Sequence, residues 1–164
     1  MSQHHATVQW QHDGSPFTQR RYSRRHLWQF DGGLSVPASS SPSVVPLPLS
    51  DPSAVDPEEA FVAALASCHM LWFLDLASRA GWSVAHYEDQ ASGTMGPDEQ
   101  GRTVVREVLL RPVLRLSPPP SAATTPAQRP SQAELEALHH QAHEACFLAH
   151  SVRCTIRCEP RWAD

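Results

Sequence analysis

Two thiols stand inside helical patterns, Cys68 in "PEEAFVAALASCHMLWFLDLASRAG" and Cys146 in "HHQAHEACFLAH". A thiolate attacks electrophilic sulfur or oxygen and also binds soft metal ions, whereas a protonated cysteine behaves as a small buried hydrophobe. The pair is therefore open to three readings: packing, a metal site or a redox couple. The redox reading needs the two sulfurs within bridging distance, a lowered thiolate pKa and a polar pocket around at least one of them. Spacing alone supplies none of these.

The metal reading rests on His139, His143, Cys146 and His150, which recur at four, three and four residues and so share one face of a helix. Their ends are about 16 Å apart at about 1.5 Å per residue, so one ion would take neighbouring members only. A tetrahedral zinc site would then draw on residues such as His69 or Glu58. There is no Cys-x-x-Cys and no His-Glu-x-x-His, and a partly solvated polar helix face is the favoured alternative. Cys154 and Cys158 lie four apart in an alternating segment, about 13 Å from each other on a strand, too far to bridge. They read as packing or weakly exposed thiols.

The elements that must carry these residues are legible in outline. "ATVQWQ" alternates, and "HLWQFDGGLSVP" alternates again before a Gly-Gly break, as two antiparallel strands joined by a connection containing Arg20, Arg21, Arg24 and Arg25. A Pro/Ser-rich stretch over 36–55 suits an extended loop. The first helix starts sharply, with Asp56 as N-cap, Pro57 at the first helical position, Glu58 and Glu59 in the first turn, and Glu59 completing a capping box. It runs to Ala80 and stops at Gly81, and its nearly all-round apolar surface predicts a helix buried at the centre of the core. "SVAHYEDQASGTM" and "TVVREVLLRPVLRL" read as strands about a turn at "GPDEQG". The stretch 117–130 reads as a mobile loop. A second helix begins at Ser131, with Glu134 at the capping-box position, and "SVRCTIRCEP" closes as a strand placing Val152, Cys154, Ile156 and Cys158 on one face. The expectation is a single α+β domain over 1–164.

Composition excludes several classes of function. The net charge is −4 and all thirteen cations are arginines scattered along the chain, so no positive patch for nucleic acid is expected. The apolar run of the first helix contains His69 and Asp75 and follows two carboxylates, which favours a core helix over a membrane span. The N-terminal "MSQHHATVQWQHDG" lacks a basic segment followed by an apolar one, so a cytoplasmic protein is expected. In a reducing compartment four cysteines are not expected to form a structural disulfide framework.

The segments "DPEEAFVAALASCH" and "AHEACFLAHSV", in this order, resemble the OsmC/Ohr family of small thiol-dependent hydroperoxide reductases. "YSRRHLWQFDGG" is similar to an OsmC-like branch distinct from the best-studied members, and Phe147 stands where Ohr members carry proline. The resemblance implies antiparallel sheets packed around a long central helix in an intertwined homodimer. It implies peroxiredoxin-like chemistry in an oxidative stress response, with neither metal nor organic cofactor. Cys68 would attack an organic hydroperoxide and become a sulfenic acid, Cys146 would resolve it as a disulfide, and a dithiol such as a lipoyl or thioredoxin-like protein would reduce that bond. Glu58 matches the family's helix-start carboxylate, and Arg24 or Arg25 would stabilise the thiolate. Glu58 and Cys68 are about 15 Å apart along a straight helix, so Glu58 would serve a site completed across a subunit interface, or the helix would be broken between them. The alternative function is a non-enzymatic domain that binds a small hydrophobic ligand or senses redox state.

Overall fold

The computed structural model describes residues 1–117 and 129–163. The expected loop over 117–130 falls almost entirely outside them. By its internal contacts the chain divides into two compact units, Met1–Phe61 and Val62–Asp164.

The first unit is built on a three-stranded antiparallel sheet in the order β1 (Ala6–Gln9), β2 (His26–Phe30) and β3 (Ser35–Ala38). The expected Gly-Gly break is the turn of a hairpin at Asp31–Gly33, where Gly33 adopts a φ of +86° that disfavours a side chain, and the residues beyond it supply β3. The connection between β1 and β2 is held by an aromatic cluster of Trp10, Phe17 and Tyr22, with ring centroids 4.5–5.6 Å apart.

The helix α1 (Pro57–Arg79) is continuous. Its start obeys the capping logic: the Asp56 carboxylate accepts from the Glu59 amide at 2.8 Å, and Glu59 returns the bond to the Asp56 amide at 3.1 Å. At the other end Gly81 has a φ of +78°, and the Trp82 amide reaches back to the Ala77 carbonyl at 2.9 Å, closing the last turn. Length and composition alone would let α1 cross a membrane. In the fold it is a core helix, but only a stripe at every fourth residue, Leu65, His69, Phe73 and Ala77, is fully buried. The all-round burial read from its composition does not hold within one chain.

In the second unit β4 (Val84–Asp89), β7 (Pro112–Leu116) and β9 (Arg161–Trp162) form one sheet, and β5 (Ser92–Pro97), β6 (Thr103–Leu110) and β8 (Thr155–Cys158) another. The hairpin pairings β4–β7 and β5–β6 are antiparallel; β6–β8 and β7–β9 are parallel. The two long strands expected from alternation each break in two, and Arg111 explains where. Its amide donates to Asp89 at 2.7 Å, and its guanidinium donates to the Gln90 carbonyl at 2.8 Å and the Ser92 hydroxyl at 3.1 Å. These bonds tie both corners at one point, where the chain passes from one sheet to the other. The helix α2 (Gln132–Ala145) opens with the expected capping box at Ser131 and Glu134. Phe73 and Ala77 from α1, Leu114 from β7 and Leu135, Leu138 and Ala142 from α2 form one core cluster. Gly93 admits α1 to β5, since a Cβ there would stand 2.7 Å from a methyl of Val62.

Candidate functional site

The spacing of α1's buried stripe places Cys68 one position ahead of His69, at the stripe's edge and partly exposed. The helix α2 ends earlier than its sequence period suggests, so Cys146 is not on a helical face. It occupies the C-cap with φ −73° and ψ 112° and is 1% exposed. The stripe His139, His143, Cys146 and His150 is broken there, and His150 turns back so that its Nε2 donates to the Glu144 carbonyl, 2.8 Å away.

Cys68 and Cys146 come together. Burial pushes the Cys146 thiol up to about 11, and its interaction with the Cys68 thiol adds to this, while the amides of Ala149 and Leu148 pull the other way. Cys146 is therefore protonated at neutral pH. All four cysteines are free thiols. Beside the pair, Trp72 and Phe147 meet edge to face at 5.3 Å, and Phe147 is 70% exposed.

One position further along α1, the structure groups residues that the spacing did not. His69 Nε2 lies 2.9 Å from His139 Nδ1, and the two rings are parallel within 8°. Phe73 stacks on His139 at 4.0 Å. Burial pushes His69 down to about 4 and His139 to about 3, so both imidazoles are neutral, and one facing nitrogen donates to the other. Cys158 Sγ stands 3.7 Å from both of these nitrogens. Its thiol is pushed up to about 12 by burial first, then by the carboxylates of Asp89 and Glu159. Among the described residues, His139 Nε2, the Tyr87 hydroxyl and Asp89 Oδ2 are buried without a hydrogen-bond partner. Cys158, expected as a packing or weakly exposed thiol, is partly buried and meets the two imidazoles. The expected shared face with Val152 and Cys154 also shortens, because β8 begins only at Thr155.

The remaining expected site residues lie in the first unit. Arg25 Nε pairs with Asp51 at 2.8 Å. The Arg24 guanidinium sits 3.8 Å above the Tyr22 ring and donates to the carbonyls of Tyr22 and Arg20. Glu58 stands in the first turn of α1, and since that helix is unbroken to Arg79 it does not reach Cys68 along it.

An α+β fold with one cysteine in a long core helix and a second at the end of a shorter one defines a recognisable class of protein. The chain belongs to the OsmC family: the family model described as OsmC-like protein matches residues 50–161. A search of the curated proteins gave no match. Among solved structures, the chain is similar to an OsmC-like protein of unknown function from Vibrio cholerae, with 46% identity over 98% of this chain and 100% of the other, and a TM-score of 0.90. The fold is shared with an organic hydroperoxide resistance protein of Elizabethkingia anophelis, at 16% identity, 100% and 97% coverage and a TM-score of 0.68. It is shared as well with the organic hydroperoxide resistance protein OhrB of Bacillus subtilis, at 14% identity, 99% and 98% coverage and a TM-score of 0.63.

Proposed function

We propose that the protein is a cysteine-based peroxidase that reduces organic hydroperoxides at Cys68. The observation that carries this reading is the pairing of partly exposed Cys68 with buried, protonated Cys146. The Cys68 thiolate attacks the outer peroxide oxygen, the O–O bond breaks, and the leaving alkoxide takes a proton to become an alcohol. Cys68 is left as a sulfenic acid. Cys146 then attacks that sulfur, water leaves, and a Cys68–Cys146 disulfide forms. An external dithiol, from a lipoyl or thioredoxin-like protein, reduces the disulfide and is itself oxidised. The apolar Trp72–Phe147 contact beside the pair supports an alkyl or aryl hydroperoxide over hydrogen peroxide.

The reading includes a homodimer. Within one chain Leu71 of α1 is 60% exposed, alongside Phe147, and a second subunit gives this apolar surface something to bury against. Glu58 then serves the thiol pair from across the subunit interface, and Arg24 or Arg25 is the candidate for the arginine of the site. There a guanidinium that stays charged stabilises the Cys68 thiolate and orients the peroxide.

The test is a titration of free thiols before and after one equivalent of cumene hydroperoxide. The expected result is loss of two of the four thiols, reversed by a dithiol and abolished in Cys68→Ser. Four unreacted thiols would instead favour a non-enzymatic ligand-binding domain.

A further inference from the structure

The thiol chemistry makes no use of the cluster on the far side of His69. We propose that His69, His139 and Cys158 form a binding site for a thiophilic divalent cation of the zinc(II) type, with two imidazole nitrogens and one thiolate as protein ligands.

The three donor atoms all lie within 4.8 Å of one another. Zinc binds imidazole at about 2.0–2.1 Å and thiolate at about 2.3 Å, so tetrahedral geometry separates its donors by roughly 3.3–3.6 Å. The observed separations are 2.9 Å between nitrogens and 3.7 Å from sulfur to each. An ion seats itself if the nitrogens part by a few tenths of an ångström, the sulfur closes by less, and both rings, whose facing nitrogens point at each other, swing within their planes toward a shared point beside the sulfur. Three ligands leave one position for water or an exogenous donor, the arrangement of catalytic rather than structural zinc.

The donors are held by three different elements. His69 comes from α1, His139 from α2 and Cys158 from β8, where it pairs in register with buried Leu110. Phe73 stacked on His139 fixes that ring. The imidazoles are neutral, as coordination requires. Cys158 is only partly buried, which provides a route from solvent. Binding replaces the proton shared between the two imidazoles, which moves to the outer nitrogen of the ring that donated it. It also releases one proton from the Cys158 thiol, so the site carries a net charge of one, with the Asp89 carboxylate close enough to act on Cys158.

The test uses the full chain stripped with a chelator and titrated with cobalt(II), then zinc(II). The expected result is one ion per chain, a thiolate-to-cobalt charge-transfer band, displacement of cobalt by zinc, and a raised melting temperature. The affinity should fall more than about 100-fold in Cys158→Ser and His69→Gln. The band should survive in the Cys68→Ser/Cys146→Ser double variant, so a failure of the peroxidase reading leaves this test intact. X-ray absorption on the zinc-loaded native protein removes any dependence on variants that fold poorly: two nitrogen neighbours and one sulfur support the site. A shell of nitrogen and oxygen only, or a sulfur neighbour lost with Cys68 and Cys146, overturns it.

Discussion

In the proposed reaction, resolution of a Cys68 sulfenic acid by Cys146 should be steeply pH-dependent, because the structure keeps the Cys146 thiol protonated. Attack would need the thiolate, whereas burial holds the thiol up at about 11. The sign follows from desolvation, which disfavours the charged form; for a thiol that form is the anion, so its population is reduced at neutral pH. Roughly one part in 10⁴ is thiolate at about pH 7, and the fraction grows about tenfold per pH unit until it levels near 11. Burial, the largest cause, persists after Cys68 is oxidised, so the dependence should persist too. The assay oxidises the protein with one equivalent of cumene hydroperoxide, quenches at intervals with a dione that traps sulfenic acid, and counts adduct against disulfide by mass spectrometry. Disulfide formation should quicken about tenfold per unit from about pH 7 to about pH 10. In Cys146→Ser the adduct should accumulate at every pH. A native rate that is flat over this range would refute the argument, because Cys146 would then be giving up its proton to a group that this geometry does not supply.

Phe73 is fully buried and touches His139, Tyr87 and Trp82, so Phe73→Ala should cost about 3–5 kcal/mol by urea unfolding and lower the melting temperature by roughly 10 °C. A loss below about 1 kcal/mol would contradict the assigned core. Ser131→Ala removes the hydroxyl that accepts from the Glu134 amide and should destabilise by about 1 kcal/mol, which the same unfolding curves will read. Leu71→Glu should shift the protein to a monomer in size-exclusion chromatography with unchanged circular dichroism; a persistent dimer would show that this face of α1 is not the interface.

The helix ends were readable because their chemistry is local. Asp56 with Glu59 and Ser131 with Glu134 satisfy backbone amides within three residues, and Gly81 supplies a left-handed backbone at no steric cost. The hidden features depend on partners distant in sequence. Pro112, directly after Arg111, is a local hint of a break, but the bonds that hold the corner, from Arg111 to Asp89, Gln90 and Ser92, cross about twenty residues and are not legible locally. The Asp31–Gly33 turn carried its own local signal in the Gly-Gly pair, which marks the break but not the strand that follows it. The histidine stripe projected through Cys146 because nothing in "HEACF" breaks a helical period, whereas α2 ends at Ala145 and Cys146 takes an extended backbone. Cys158 looked like one more inward residue of a strand. Its neighbours, His69 and His139, come from two other elements, and strand alternation says nothing of what an inward side chain meets.

The central claim is that Cys68 is the reacting thiol and Cys146 its resolving partner. The most direct measurement is consumption of cumene hydroperoxide with a dithiol reductant, compared with hydrogen peroxide, on the native protein, Cys68→Ser and Cys146→Ser. The account predicts turnover with a preference for the organic peroxide, its complete loss in Cys68→Ser, and a single turnover ending in a trapped sulfenic acid in Cys146→Ser. Turnover that survives Cys68→Ser, or a native protein that leaves the peroxide untouched, would contradict it.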